Sequence, residues 1–363
     1  MSTFPVTLIT GFLGSGKTTL LNNLLHDQQM ADTAVIINEF GDVAIDHLLV
    51  ESAIENAVVL QSGCICCTVR GDLVDTLGDL VAKAERGDIP RFSRIVIETT
   101  GLADPTSVVR LFAGEPLLAE TFHLRAVVTT VDAVNGMTQL DKFEEAARQV
   151  ALADVLILTK TDLVEPQATN VLRDRLHHLN PGAEIIPVVA GKLSPDDLFA
   201  HAPAAPSGPD GDVGRWLKLD AFGPREPHRN GHDHAHGDAS SSHDDHHNHD
   251  DAHHGHLHHD ASIHSFTVTL DAPIERDALR GWLASILSLR GQDLLRMKGI
   301  VNVLGLDGPM VVHAVQDIVH PPMTLAAWPS DDHSTRIVFI TRNISQPALQ
   351  RSLEAMAREH RVS

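Results

Sequence analysis

Pro5-Val-Thr-Leu-Ile-Thr10 runs directly into Gly11-Phe-Leu-Gly-Ser-Gly-Lys-Thr18, and this stretch decides the fold. The apolar run has strand length, and residues 18–27 behind it space their leucines as a helix does. Between the two stands the pattern G-x-x-x-x-G-K-[ST], a turn whose bared backbone N–H groups can surround phosphate oxygens. Gly11, Gly14 and Gly16 let the chain wrap closely around an anion, with Ser15 and Thr19 in the same cradle. Lys17 is placed to reach β and γ phosphates, and the Thr18 hydroxyl to ligate Mg²⁺. The helix that begins near Lys17 turns its positive end toward the anion.

Working outward, short apolar runs recur at residues 34–38, 95–98, 126–131, 155–159 and 185–188. Segments of helical period lie between several of them, at 72–86 and 142–151 among others. Strand alternating with helix predicts an α/β unit, a P-loop fold with a mainly parallel sheet covered on both faces, over residues 1–201. Residues 202–261 read as a linker. Its first half is rich in Pro, Gly and Asp, and residues 228–264 carry 14 of the chain's 24 histidines among Asp, Ser and Gly. From 262 to 363 patterning returns. Strands are expected at 263–270, 294–304, 309–318 and 335–341, and helices at 275–289 and 346–359. The first of these helices carries Trp282, Ile286 and Leu289 on one face. This part is a small α+β domain.

Three further segments belong with the glycine loop. Ile95-Val-Ile-Glu98-Thr-Thr-Gly101 is a buried strand ending in an acid and then a glycine. That is the place for a second carboxylate near Mg²⁺, reached through a water, and for a γ-phosphate contact from the Gly101 N–H. Thr159-Lys160-Thr-Asp162 follows another apolar strand. A carboxylate there can accept from the N1–H and N2–H₂ edge of guanine, a donor pair adenine lacks, while the Lys160 stem packs along the base. GTPases usually carry Asn where Thr159 stands. Asn38-Glu39-Phe40-Gly41-Asp42 sits where a segment sensing γ-phosphate would lie. Lys17, Glu98 and Asp42 are the candidate catalytic groups. Glu39 is a further candidate for activating water, and no glutamine is evidently placed for that role.

All three cysteines of the 363-residue chain fall in Ser62-Gly-Cys64-Ile-Cys66-Cys67-Thr68. An odd trio this tight makes no disulfide framework but can set up to three thiolates on one soft ion. The fourth position stays open to another donor, such as Glu39 or Asp42, or to a client protein, which suits exchange better than permanent storage. In the histidine tract, His232-x-His234-x-His236 and His246-His247-x-His249 can share Zn²⁺, Co²⁺, Ni²⁺ or Cu²⁺ and act as a local metal reservoir.

The bulk numbers fit a metal handler. A net charge of -20 argues against nucleic-acid binding as the main task. No apolar run approaches the roughly 18 residues of a membrane span. The first apolar run is a strand rather than a signal segment, so the expected location is the cytoplasm, where thiols stay reduced.

Taken together, these residues resemble the CobW-like branch of metallochaperone P-loop GTPases. The carrying motifs are Gly11 to Thr19, Asn38-Glu-Phe-Gly41, Gly63-Cys-Ile-Cys-Cys67, Glu98-Thr-Thr-Gly-Leu-Ala-Asp-Pro105 and Thr159-Lys-Thr-Asp162. The C-terminal unit is similar in Arg296-Met-Lys-Gly299 and Gln316. The resemblance implies GTP and GDP as ligands, Mg²⁺ as cofactor, and Cys64, Cys66 and Cys67 as ligands of a cargo ion. It also implies a client metalloprotein that receives the ion when GTP is hydrolysed. Zn²⁺ is the expected cargo, with Co²⁺ or iron insertion, a nucleotide-regulated metal buffer and a nickel-insertion GTPase as alternatives. A nucleotide- or metal-dependent homo-oligomer stays open.

Overall fold

The computed structural model describes residues 3–37, 58–61, 65–201 and 263–359, with backbone alone for 58–61, 65–72, 117, 201 and 359. In the N-terminal unit β1 (Phe4–Gly11), β2 (Thr33–Ile37), β3 (Val58–Gln61), β4 (Arg94–Glu98), β5 (Phe122–Asp132), β6 (Val155–Thr159) and β7 (Glu184–Pro187) form one sheet. Its order is β3-β2-β4-β1-β5-β6-β7, and every pairing is parallel.

Strands buried on both faces read as unbroken apolar runs, and the packing shows why. Val6 and Leu8 of β1 join Ala34, Ile36, Ile95 and Ile97 against Leu73, Leu77 and Leu80 of helix α2 (Ile65–Arg86). Ile9, Val35 and Val96 face the other way, onto Leu20, Leu21 and Leu24 of α1 (Lys17–Leu25). The remaining helices of the unit are α3 (Thr106–Gly114), α4 (Pro116–Thr121), α5 (Gly136–Lys142), α6 (Glu144–Leu152), α7 (Pro166–Leu179) and α8 (Pro195–His201).

Three local readings are corrected. The four-residue edge strand β3 is too short to show a period and was not anticipated. The helix read at 142–151 is α6 and begins two residues later, at Glu144, because Phe143 is extended at φ -126° and ψ 114°, and the separate helix α5 ahead of it was not anticipated. Phe143 stacks on Phe12 with ring centroids 4.7 Å apart, so a tertiary contact holds it there. The helix read from 72 starts at Ile65, which puts Cys66 and Cys67 in its first turn rather than in a loop.

The C-terminal unit is an antiparallel sheet of β8 (Ile263–Leu270), β9 (Leu294–Val301), β10 (Met310–Val315), β11 (Ile318–Val319), β12 (Met323–Thr324) and β13 (Thr335–Arg342). Helices α9 (Arg276–Arg290) and α10 (Gln346–Glu359) accompany it. The run 309–318 divides into β10 and β11 around Gln316, whose φ is 51°. Trp282 and Ile286 are buried with Leu279 against Ile337 and Phe339. Leu289 is 79% exposed, because the last turn of α9 runs on beyond the buried stretch that ends at Ile286.

The two units share a core. Ile263, Leu295 and Ile340 of the antiparallel sheet pack with Ala147, Leu172 and Leu176 of α6 and α7. Beside this seam Asp154, just ahead of β6, accepts from Arg296, from Lys298 Nζ at 2.9 Å and from the Val127 N–H at 2.9 Å. Arg296 also donates to the Leu152 and Ala153 carbonyls at 2.5 and 2.7 Å. No helix among the described residues is long and apolar enough to cross a membrane.

Candidate functional site

Parallel pairing carries the motifs to one edge. Ile9 is level with Glu98 and Gly11 with Thr130, so the ends of β1, β4 and β5 open onto the same crevice. β1 is where the chain changes direction across the sheet, having built β2, β3 and β4 on one side before crossing to β5. Open parallel sheets bind ligands at the carboxyl ends of strands at such a point.

The loop from Gly11 to Gly16 has the backbone its glycines permit. Gly11, Gly14 and Gly16 take φ of 141°, 72° and 93°, values side chains disfavour. Helix α1 starts at Lys17 with Gly16 as its left-handed cap, so its first N–H groups face the loop. Lys17 is 9% exposed, and its Nζ donates to the Gly11 carbonyl at 2.9 Å and to the Phe12 carbonyl at 3.4 Å. The ammonium thus lies across the concave side of the loop. The Ser15 and Thr130 hydroxyls are 2.6 Å apart and tie the loop to β5.

The Thr18 hydroxyl donates to Glu98 Oε1 at 3.1 Å, so the two groups expected around Mg²⁺ are neighbours. A hydroxyl and a buried carboxylate are hard oxygen donors of the kind Mg²⁺ takes, and the pair fits that ion. Beyond β4 the chain passes very close to the loop. A Cβ on Gly101 would lie 2.7 Å from the Leu13 nitrogen, so only glycine allows this approach. Gln149, 1% exposed, donates to the Gly101 and Ala103 carbonyls at 3.3 and 3.1 Å and fixes the segment from behind.

At the end of β6 the Thr159 hydroxyl is 2.7 Å from the Ser15 carbonyl and ties this strand to the glycine loop. Lys160 stands at φ 57°, and its Nζ donates to the Gly14 carbonyl and to Asp132 Oδ2, each at 2.8 Å. Asp132, 1% exposed, also accepts from the Asn135 amide and the Val134 N–H, both at 2.8 Å. Burial pushes its carboxyl up, but Lys160, Asn135 and Val134 outweigh this and hold it below the ordinary carboxylate range. Asp162 lies in a short exposed 3₁₀ turn at the same edge.

Asp132, Asn135 and Gln149 are the residues that sequence reasoning missed. Asp132 had a signal, an acid closing an apolar strand as Glu98 does. Gln149 had none, since it sits inside a helical pattern.

Gly11, Gly14, Ser15, Gly16, Lys17, Thr18, Thr19, Glu98, Gly101, Thr159, Lys160 and Asp162 therefore gather at one sheet edge. Cys66 and Cys67 open α2 after β3, whose end points to that same edge because β3 runs parallel to β2. Cys64, Glu39, Asp42 and the histidines at 232, 234, 236, 246, 247 and 249 lie outside the described residues. Among the described residues no group of three or more His, Cys, Asp or Glu side chains could hold a metal.

Comparison with known proteins agrees with this architecture. Residues 5–187 match the CobW/HypB/UreG nucleotide-binding domain, and residues 263–357 match the cobalamin synthesis protein cobW C-terminal domain. The zinc chaperone YjiA of Escherichia coli is 40% identical over 199 residues, 55% of this chain and 62% of that protein. The zinc-regulated GTPase metalloprotein activator 1 of Schizosaccharomyces pombe is 34% identical over 226 residues, 60% of this chain and 50% of that protein. In these two alignments the chain spans less than two thirds of the relative's length. The zinc chaperone CobW of a Sinorhizobium species is 26% identical with 97% of both chains covered. The Zn(II)-bound crystal structure of E. coli YjiA superimposes with a TM-score of 0.72 at 26% identity, covering 98% of this chain and 99% of that one. The match over residues 5–187 spans half of the chain, and with the C-terminal domain matched behind it this chain belongs to the CobW/HypB/UreG family.

Proposed function

We propose that the chain is a GTP-hydrolysing metallochaperone that takes up Zn²⁺ through Cys64, Cys66 and Cys67 and passes it to a client metalloprotein. The observation that carries this reading is the position of the cysteine-led helix, which starts at the same sheet edge as the glycine loop and Glu98. The names of YjiA, of the Sinorhizobium CobW and of the fission-yeast activator support zinc as the cargo. Thiolate ligands accept Co²⁺ as well, so metal competition belongs in the test.

Phosphoryl transfer to water needs positioning and charge neutralisation more than covalent chemistry. The glycine-loop N–H groups and the start of α1 hold the phosphates, and Lys17 exchanges its loop carbonyls for β and γ oxygens. Thr18, with Glu98 nearby, would hold Mg²⁺, and the ion would supply further neutralisation of the phosphate charge. The Gly101 N–H faces the γ phosphate. Asp162 reads the guanine edge, and Lys160, aligned by Asp132, packs along the base. Thr159 serves as a tie to the glycine loop through Ser15, so guanine selection rests on Asp162.

Because Gly101 is packed against Leu13, Gly101→Ala should push the post-β4 segment away from the loop while leaving the fold intact. A misplacement of about 1 Å near the reacting group costs on the order of 100-fold in rate. GTP turnover should fall by that amount and GDP affinity should hold, in steady-state kinetics beside nucleotide titration. A Gly101→Ala protein with ordinary turnover would remove Gly101 from the site.

The γ phosphate and the cargo ion are read by neighbouring segments, so each should bias the other. Coupling of this kind amounts to roughly 5- to 150-fold in affinity and is reciprocal. One equivalent of Zn²⁺ should therefore change GTP affinity, and Cys66→Ser should abolish the change. The titration, with Co²⁺ as competitor, is run on protein lacking residues 228–259, so that the histidine tract does not mask the cysteine site. Identical GTP affinity with and without Zn²⁺ would sink the coupled-transfer reading.

A further inference from the structure

Arg148 and Gln149 are neighbours on α6, and both reach from that helix to the short segment that follows β4. Gln149 Nε2 donates to the Gly101 carbonyl at 3.3 Å and to the Ala103 carbonyl at 3.1 Å. Arg148 donates to Asp104 Oδ2 at 3.0 Å. The other carboxylate oxygen of Asp104 accepts from the Thr106 N–H at 2.9 Å, at the start of α3. Gly101, Ala103 and Asp104 are thus all held by two adjacent residues of one helix.

Packing alone does not call for this. The residues around Gln149 on α6, Ala146, Ala147, Val150 and Ala151, fill the core with apolar groups. Gln149 is equally buried, and its Oε1 makes no hydrogen bond. A buried acceptor left unmatched costs stability, so an apolar side chain would serve better if volume were the only need. What Gln149 contributes is its NH₂ group, which joins two carbonyls of a segment outside any helix or strand.

Helix α6 is itself a fixed mount. The Thr129 hydroxyl of β5 donates to the Gln149 carbonyl at 2.9 Å. Phe143, just ahead of the helix, stacks on Phe12 of the glycine loop. Glu144 pairs with Arg148 at 2.6 Å and also with Arg342 of β13. Ala147 packs with Leu295 and Ile340 of the antiparallel sheet. The glycine loop, β5 and the C-terminal unit therefore all anchor the helix that holds the segment.

These tethers bear on the direction of the Gly101 N–H. Glycine has the freest backbone of any residue, so its orientation is set by what holds it from outside. Leu13 limits its approach to the glycine loop, and Gln149 holds its carbonyl.

We propose that Gln149 and Arg148 are positioning residues for GTP hydrolysis, holding residues 101–104 so that the Gly101 N–H meets the γ phosphate. This rests on the reading of Gly101 as a γ-phosphate contact. Both side chains act through the segment rather than on the nucleotide.

The test compares Gln149→Met, similar in length but without donors, with wild type in the full chain. Its kcat should fall about 10- to 100-fold, the scale of a misplacement of up to about 1 Å. GDP affinity should stay within about twofold, because the lost interaction serves hydrolysis and GDP has no γ phosphate. Gln149→Glu adds a signature that a packing role would not produce. Its protonated carboxyl can donate to a carbonyl and its ionised form repels both, so kcat relative to wild type should fall as pH rises. The same ratio for Gln149→Met should stay level.

Unchanged kcat in Gln149→Met would overturn the proposal, as would GDP affinity that falls as far as kcat or a level pH ratio for Gln149→Glu. Should the Gln149 variants fail to fold, Arg148→Met at its partly exposed position decides. About a tenfold loss of kcat at unchanged GDP affinity supports the clamp there, and unchanged kcat rejects it. Gly101→Ala, measured alongside, separates the two readings. Slow turnover in Gly101→Ala with ordinary turnover in Gln149→Met rejects the clamp alone. Ordinary turnover in Gly101→Ala removes the contact itself, and the proposal with it.

Discussion

Asp154→Asn should destabilise the chain by about 3–5 kcal/mol at neutral pH, the usual cost of removing one member of a buried ion cluster. Asp154 pairs with both Arg296 and Lys298, and its side chain is 10% exposed. The amide keeps one acceptor for the Val127 N–H but no charge, so Arg296 and Lys298 lose the carboxylate they share. Denaturant unfolding of both proteins measures the gap.

Its pH dependence has a definite sign. Burial alone raises the Asp154 carboxyl, yet Arg296 and Lys298 more than compensate and bring it down to about 2, against 3.8 for the free group. A depressed folded-state pKa adds stability that is complete above the unfolded value and disappears as pH falls through the folded one. The gap between wild type and Asp154→Asn should hold from neutral pH down to about 5, then shrink between about 4 and 2. A gap that does not change across that window would mean the cluster contributes nothing through charge.

Lys17→Ala should lower GTP turnover by roughly 100- to 1000-fold, the scale for removing a group that stabilises developing charge in a water-poor site. The fold should tolerate the change. Lys17 serves two carbonyls at the concave side of the loop, and water can replace it there. Thermal stability should therefore move little while turnover collapses, and GTP affinity should weaken more than GDP affinity, because in the proposed site the lysine reaches the γ phosphate. Lys17→Arg should not rescue, since the broader planar guanidinium does not occupy the same space beneath the loop. Turnover within a few-fold of wild type would remove Lys17 from the proposed chemistry.

Much of the nucleotide unit was legible because its signals are local. A strand, a glycine turn and a helix start are each specified by a few adjacent residues, and β1 and α1 fall within two residues of where periodicity placed them. β3 was not legible, being four residues long. The late start of α6 was hidden because its cause, the packing of the extended Phe143 on the ring of Phe12, lies 131 residues away in the chain. Leu289 shows the reverse error. Its spacing from Trp282 and Ile286 is that of a buried face, but burial depends on where the opposing sheet ends.

The sequence by itself determined the chemistry at each position. It supplied a phosphate-binding loop, an acid after a buried strand, a Lys-x-Asp turn and three thiols, because residue type and spacing set what a short segment can bind. The tertiary structure alone decided how those segments support one another. Gly101 must be glycine because Leu13 lies against it, and Thr159 is tied to the glycine loop because its hydroxyl meets the Ser15 carbonyl. Asp154 carries no motif, since it and Arg296, 142 positions apart in the chain, become a buried ion pair only when two sheets dock. Charge and burial are properties of neighbours in space, and sequence order does not record them.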